Sequence, residues 1–107
     1  MAPTSLGRVN VPTPGTCVRL ATAYTPCTRI RFSVVAGLTG KMYLGTKAVV
    51  GSTYSGVIKE FWPNSGGGVD DAYELSMGTD SNVLNLADYS IDAAVANEGL
   101  IVTYWAA

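Results

Sequence analysis

From residue 16 onward, apolar and polar side chains alternate with a period close to two, the mark of strands with one buried face. The clearest case is "TRIRFSVV": Ile30, Phe32 and Val34 fall on one side, and Arg29, Arg31 and Ser33 on the other. "CVRLA" before it alternates more weakly. "GLTG" punctuates, and "KMYLGT" reads as the next strand. "AVVGSTYSGVIKEFW" is a turn region between two β-favouring runs, and "PNSGGGVDDA" is a long loop with unrestrained glycines. "YELSM" gathers Tyr73, Leu75 and Met77, and "GTDSN" turns the chain again. "VLNLADYSIDAAVA" then carries Leu84, Leu86 and, past a short Asp-containing turn, Ile91. "NEG" turns once more into the last strand, "LIVTYW". Short strands at a spacing of roughly 8–12 residues, separated by Gly, Asn, Asp and Ser, predict a sandwich or barrel.

One segment has helical character. The alanines of "NVLNLADYSIDAAVA" favour helix, but Tyr89, Ile91 and Val95 favour strand and no proper cap precedes them. It is read as strand or irregular backbone. Residues 1–15 read differently, because Pro3, Pro12 and Pro14 remove backbone donors and exclude a helix or a central strand. They are expected as an extended N-terminal arm held against a neighbour, with a crystal contact or an arm packed on its own chain as the alternative. The fold class is thus all-β: a compact antiparallel β-sandwich or jelly-roll-like barrel over residues 16–107, with the arm at 1–15.

Composition sharpens this picture. A chain of 107 residues makes one domain, near the size at which about 65% of the unfolded surface is buried. Yet hydrophobic residues make up 48% and mean hydropathy is +0.23, so many apolar groups must lie near the surface. Contiguous exposed apolar area marks interfaces, and self-association is expected. Charged residues are 14% and the net charge is −1, which provides no footprint for nucleic acid or an anionic membrane. No apolar run approaches the ~20 residues of a membrane span. No basic segment followed by an apolar one opens the chain, so a signal peptide is not expected, and Met1 fits cytosolic synthesis.

Candidate chemistry is sparse. There is no histidine, the commonest general base and metal ligand. Asp70-Asp71 is the only adjacent carboxylate pair; in a glycine loop it is read as solvated, with a weak cation site as the alternative. "SGGG" lacks the Lys-Ser/Thr of a phosphate loop. Cys17 and Cys27 have no histidine to activate a thiolate and are expected as free thiols, a disulfide between neighbouring strands being the alternative. No enzyme, cofactor or metal is expected. The aromatics Tyr43, Phe61, Trp62, Tyr73, Tyr104 and Trp105 are read mostly as core, with a sugar-stacking platform as the rival. Basic residues are not interleaved among them, which argues against single-stranded nucleic acid. The adjacent pairs Phe61-Trp62 and Tyr104-Trp105 must each put one ring on either face of a sheet, and the outward ring needs a cover.

The run "TPCTRIRFSVVAGLTGKMYLGTKAVVGSTYSGVIKEFWP" followed by "LADYSIDAAVANEGLIVTYW" resembles small structural proteins of tailed-bacteriophage virions. The resemblance rests on Pro26-Cys27, Gly37, Gly40, Tyr43 and Gly45, then Leu86, Asp88, Tyr89 and Ile91, then Ala96, Gly99, Val102 and Tyr104. It spans residues 16 to 105 and departs at "FWPNSGGGVDDAYELSM", which is longer than the family's usual strand and turn. What it implies is a β-sandwich or jelly roll on the phage head, most often a capsid decoration (cement) protein, made in the host cytoplasm. The implied partners are the major capsid protein and further copies of the chain, a homotrimer before a dimer. A carbohydrate- or receptor-binding module of a head fibre, neck or tail is the alternative. Expected interface residues are Leu6, Arg8, Val9, Val11, Phe61, Trp62, Tyr104 and Trp105, and no catalytic residue is implied.

Overall fold

Alternating β-branched, aromatic and aliphatic positions extend the chain because such side chains pack well on a pleated surface. The computed structural model describes residues 3–35, 38–62, 72–76 and 83–107. Its strands are β1 (Pro3–Val11), β2 (Val18–Arg19), β3 (Pro26–Val34), β4 (Met42–Val50), β5 (Ser55–Phe61), β6 (Ala72–Ser76), β7 (Leu84–Asn85), β8 (Tyr89–Ala93) and β9 (Glu98–Ala106). Two antiparallel sheets pack against each other. Sheet A has the order β1-β9-β3-β6, with β7 beside the start of β3, and sheet B has the order β2-β8-β4-β5.

Cross-strand register shows how the period of two becomes a core. In sheet A, Thr4, Tyr104, Ile30 and Leu75 form one inward row; Gly7, Val102, Phe32 and Tyr73 form the next; Val9, Leu100 and Val34 form the third. In sheet B, Met42 stands between Phe61 and Ala93, and Leu44 between Lys59 and Ile91. Ile30, Phe32, Met42, Leu44, Phe61, Ile91, Leu100 and Val102 are fully buried in one cluster. No buried side-chain nitrogen or oxygen among the described residues lacks a hydrogen-bond partner.

Residues 3–11 depart from the expected arm. They are extended, but they form the edge strand of sheet A in their own chain, paired with β9 from Pro3 opposite Trp105 to Val11 opposite Glu98. The prolines permit this. Pro3 opens the strand, Pro12 and Pro14 follow it, and an edge strand tolerates a missing donor. Between them Val9 and Val11 keep the period of two, and Val11 is wholly buried. The register slips between Ser5 and Gly7, where Gly7 at φ 68° supplies the left-handed conformation of a bulge.

The segment with helical character folds as expected, into strands and irregular backbone. Leu84–Asn85 and Tyr89–Ala93 are strands, with a single 3₁₀ turn between them at Leu86–Asp88. Asn85 caps that turn: its side-chain oxygen accepts from the amide of Ala87 at 3.1 Å and from that of Thr25 at 3.0 Å. Sequence reasoning missed this cap because it starts one turn rather than a full helix. Gly37, Met77, "GTDSN" and the loop with Asp70-Asp71 lie outside the described residues.

Candidate functional site

The outer faces of the two sheets differ, and the difference begins with two carboxylates. On sheet B, Asp92, Tyr43 and Glu60 form an outward row across β8, β4 and β5. By period alone Asp92 belongs in solvent. Instead Lys47 and the turn at Gly51–Thr53 close over this face, and Asp92 and Ser90 are buried. Asp92 Oδ2 accepts from the amide of Gly51 at 2.8 Å, and Oδ1 accepts from the amides of Gly15 and Ala93 at 2.9 Å. The hydroxyl of Ser90 and the thiol of Cys17 both donate to the carbonyl of Lys47 at 3.2 Å. Gly51 lies flat on the ring of Tyr43, where a Cβ would overlap it. Burial, then the charges of Glu60 and Asp92, push the Tyr43 phenol above its ordinary range.

Glu98 plays the same part at the other end of the core. Its Oε2 accepts from the amide of Thr39 at 2.8 Å and its hydroxyl at 3.1 Å, and Oε1 accepts from the amide of Gly40 at 2.9 Å. Both buried carboxylates therefore hold loops through backbone amides.

The outer face of sheet A is bare among the described residues. It carries three rows: Pro3–Trp105–Arg29–Ser76, Ser5–Thr103–Arg31–Glu74, and Arg8–Ile101–Ser33–Ala72. Arg8, Arg29 and Arg31, of seven Lys and Arg in the chain, thus share one surface. Arg29 lies 4.0 Å from the centre of the Trp105 ring and 3.7 Å from Glu74. Arg8 donates to the Asn10 side chain at 2.7 Å and to the Asn97 carbonyl at 3.3 Å. Arg31 has no hydrogen-bond or ion-pair partner among the described residues.

A second exposed group lies where sheet B ends at β5. Trp62 is 59% exposed and Tyr54 58%. Lys41 Nζ stands 4.0 Å from the centre of the Trp62 ring and 3.7 Å from Glu60 Oε2, which also accepts from the Tyr54 hydroxyl at 2.8 Å. That bond and the charge of Glu60 raise the Tyr54 phenol above its usual range.

The expected interface residues divide accordingly. Leu6, Arg8 and Trp62 are exposed, and Trp105 is part-covered by Arg29. Val11 and Phe61 lie in the core with no exposed surface, and Val9 and Tyr104 are partly buried against it. The adjacent aromatics split between faces as expected, and a cation from this same chain stands over each outward ring. Reading along the chain missed those cations: Lys41 lies far from Trp62 in sequence, and Arg29 from Trp105, so only strand pairing brings them together. Cys17, just before β2, and Cys27, on β3, are free thiols, and burial raises the Cys27 thiol above its ordinary range. Among the described residues no group of His, Cys, Asp or Glu gathers as metal ligands. No helix there is long and apolar enough to cross a membrane.

Fold and surface together define an all-β protein of two packed antiparallel sheets, with one face closed by its own loops and the other, among the described residues, open and basic. Comparison with family models, with curated proteins and with solved structures returns no match.

Proposed function

We propose that this chain is a structural protein of a bacteriophage virion, a decoration (cement) protein of the head shell, built as a jelly roll. The observation that carries this reading is the strand order. With β7 set aside as an adjunct of β3 and the eight remaining strands counted in chain order, the sheets run 1-8-3-6 and 2-7-4-5, the order taken when two Greek keys are wound into a jelly roll, an architecture of viral capsid domains. The strand order supports this role by analogy of fold, and it agrees with the resemblance carried by Pro26-Cys27, Tyr43, Gly45 and the segment from Leu86 to Tyr104.

In this reading the bare face of sheet A docks on an acidic surface of the major capsid protein. Arg8, Arg29 and Arg31 supply the charge, and Trp105 and Ile101 the apolar contact. An aromatic beside arginine is the pairing enriched at binding hot spots. The guanidinium of Arg31, without a partner among the described residues, is suited to a bidentate carboxylate contact. Cementing then needs no catalysis, because a ligand that binds only the assembled shell stabilises it by RT ln(1 + [L]/Kd) per site. The bound form is proposed as a homotrimer, since closed cyclic symmetry lets one chain repeat the same contact around a shell axis.

The test is binding of the purified protein to shells lacking it. The double reversal Arg29→Glu, Arg31→Glu should weaken binding at least tenfold, which is about 1.4 kcal/mol, and raised salt should weaken the wild type. Binding unchanged by both would refute the docking face. Absence of the chain from purified virions would refute the cement role. Sedimentation of a monomer both free at micromolar concentration and when bound would remove the trimer.

A further inference from the structure

We propose that Trp62, Lys41, Glu60 and Tyr54 form a saccharide-binding site at the β5 edge, on the opposite side of the molecule from the arginine face. A pyranose presents an apolar C–H face and a rim of hydroxyls, so it is recognised by an aromatic plane with charged hydrogen-bonding groups beside it. Each part is here. The Trp62 ring is 59% exposed although Lys41 stands over it at 4.0 Å, which leaves aromatic surface to receive a sugar face. Lys41 Nζ can donate to a sugar hydroxyl. The carboxylate of Glu60 can accept from another, and bonds to charged groups are the stronger ones.

These groups are also held in place. Glu60 stands on β5 in register with Tyr43, and its Oε2 is fixed by the Tyr54 hydroxyl at 2.8 Å and by Lys41 at 3.7 Å. Lys41 precedes β4, and its carbonyl accepts from the amide of Ala94 at 3.0 Å. Glu60, which joins Lys41 and Tyr54, is thus anchored on a strand, where a polar group keeps its geometry better than on a free loop. The charge balance selects the ligand class. Lys41 is already paired with Glu60, so the site has no net positive charge for a phosphate backbone, and the carboxylate repels one. An apolar peptide would bury the same ion pair without returning its hydrogen bonds, which is costly. A neutral sugar returns them.

The inference does not rest on the capsid reading, and its test uses different residues. The full-length protein is titrated with oligosaccharides of glucose, galactose and N-acetylglucosamine, followed by calorimetry and by tryptophan emission. Saturable binding to at least one is expected. Trp62→Ala should weaken it at least tenfold and Glu60→Gln severalfold, while Arg29→Glu leaves it unchanged, with circular dichroism checking that each variant is folded. No saturable binding to any of the three, or equal binding by Trp62→Ala, overturns the site.

Discussion

Gly51 donates its amide to Asp92 across the outer face of sheet B, N to Oδ2 at 2.8 Å, with both residues buried. This bond joins the turn after β4 to the middle of β8, and through Oδ1 the same carboxylate reaches Gly15, just past β1. One side chain thus ties three distant parts of the chain to one sheet face.

Asp92→Asn conserves the shape but replaces one acceptor with an NH2 group, which then faces a backbone N–H. Leaving a buried donor unsatisfied costs about 1–3 kcal/mol. Glu98→Gln has the same defect at Thr39 and Gly40. Both variants should fold with a lowered urea midpoint and an unchanged m-value. A midpoint equal to wild type for Asp92→Asn would show that the staple contributes nothing. Gly51→Ala should destabilise by about 1–3 kcal/mol through overpacking against Tyr43.

Deleting residues 1–11 should destabilise the fold rather than merely trim it. The deletion strips β9 of its partner along one edge, leaving it paired with β3 alone, and removes Val11, whose burial contributes about 1.5–3 kcal/mol. Thermal melting by circular dichroism should show a lower or broader transition. A truncated protein that melts like the full chain would mean that β1 is an accessory to the sheet.

Alkaline pH should weaken the fold through Tyr43. Its folded phenol holds the proton more tightly than the unfolded chain does, so the stability it contributes is complete below the ordinary value of 10.0 and is lost as pH rises through the higher folded value. Tyr54 and Tyr89 shift the same way and add to the slope. Denaturant midpoints measured from pH 8 to 11 should fall for the wild type and fall less steeply for Tyr43→Phe. Parallel curves would rule out Tyr43 as a source.

The two thiols should separate by rate. Cys17 is partly exposed and Cys27 is buried with its thiol pushed up, so less reactive thiolate forms there. A disulfide reagent on the unreduced native protein should titrate one group quickly and the second only on unfolding. Two equal fast phases would contradict the burial, and no reactive thiol after denaturation would mean a disulfide.

The sequence by itself determined the strands and their inward sides. Ile30, Phe32 and Val34 against Arg29, Arg31 and Ser33 is a local pattern, because side chains alternate along any extended backbone whatever lies beside it. The split of Phe61 from Trp62 follows from the same rule. Tertiary structure alone decided which outward residues meet solvent. Asp92 alternates as an exposed residue would, yet a loop from elsewhere in the chain covers it, and no periodicity within β8 registers that loop. Residues 3–11 show the same limit of local pattern: proline content is compatible with both an arm held by a neighbour and an edge strand of the same chain, and the availability of β9 separates the two. The Lys41–Trp62 and Arg29–Trp105 pairs are set by register, a relation between strands distant in sequence, and register is settled only when the two sheets close over their shared core.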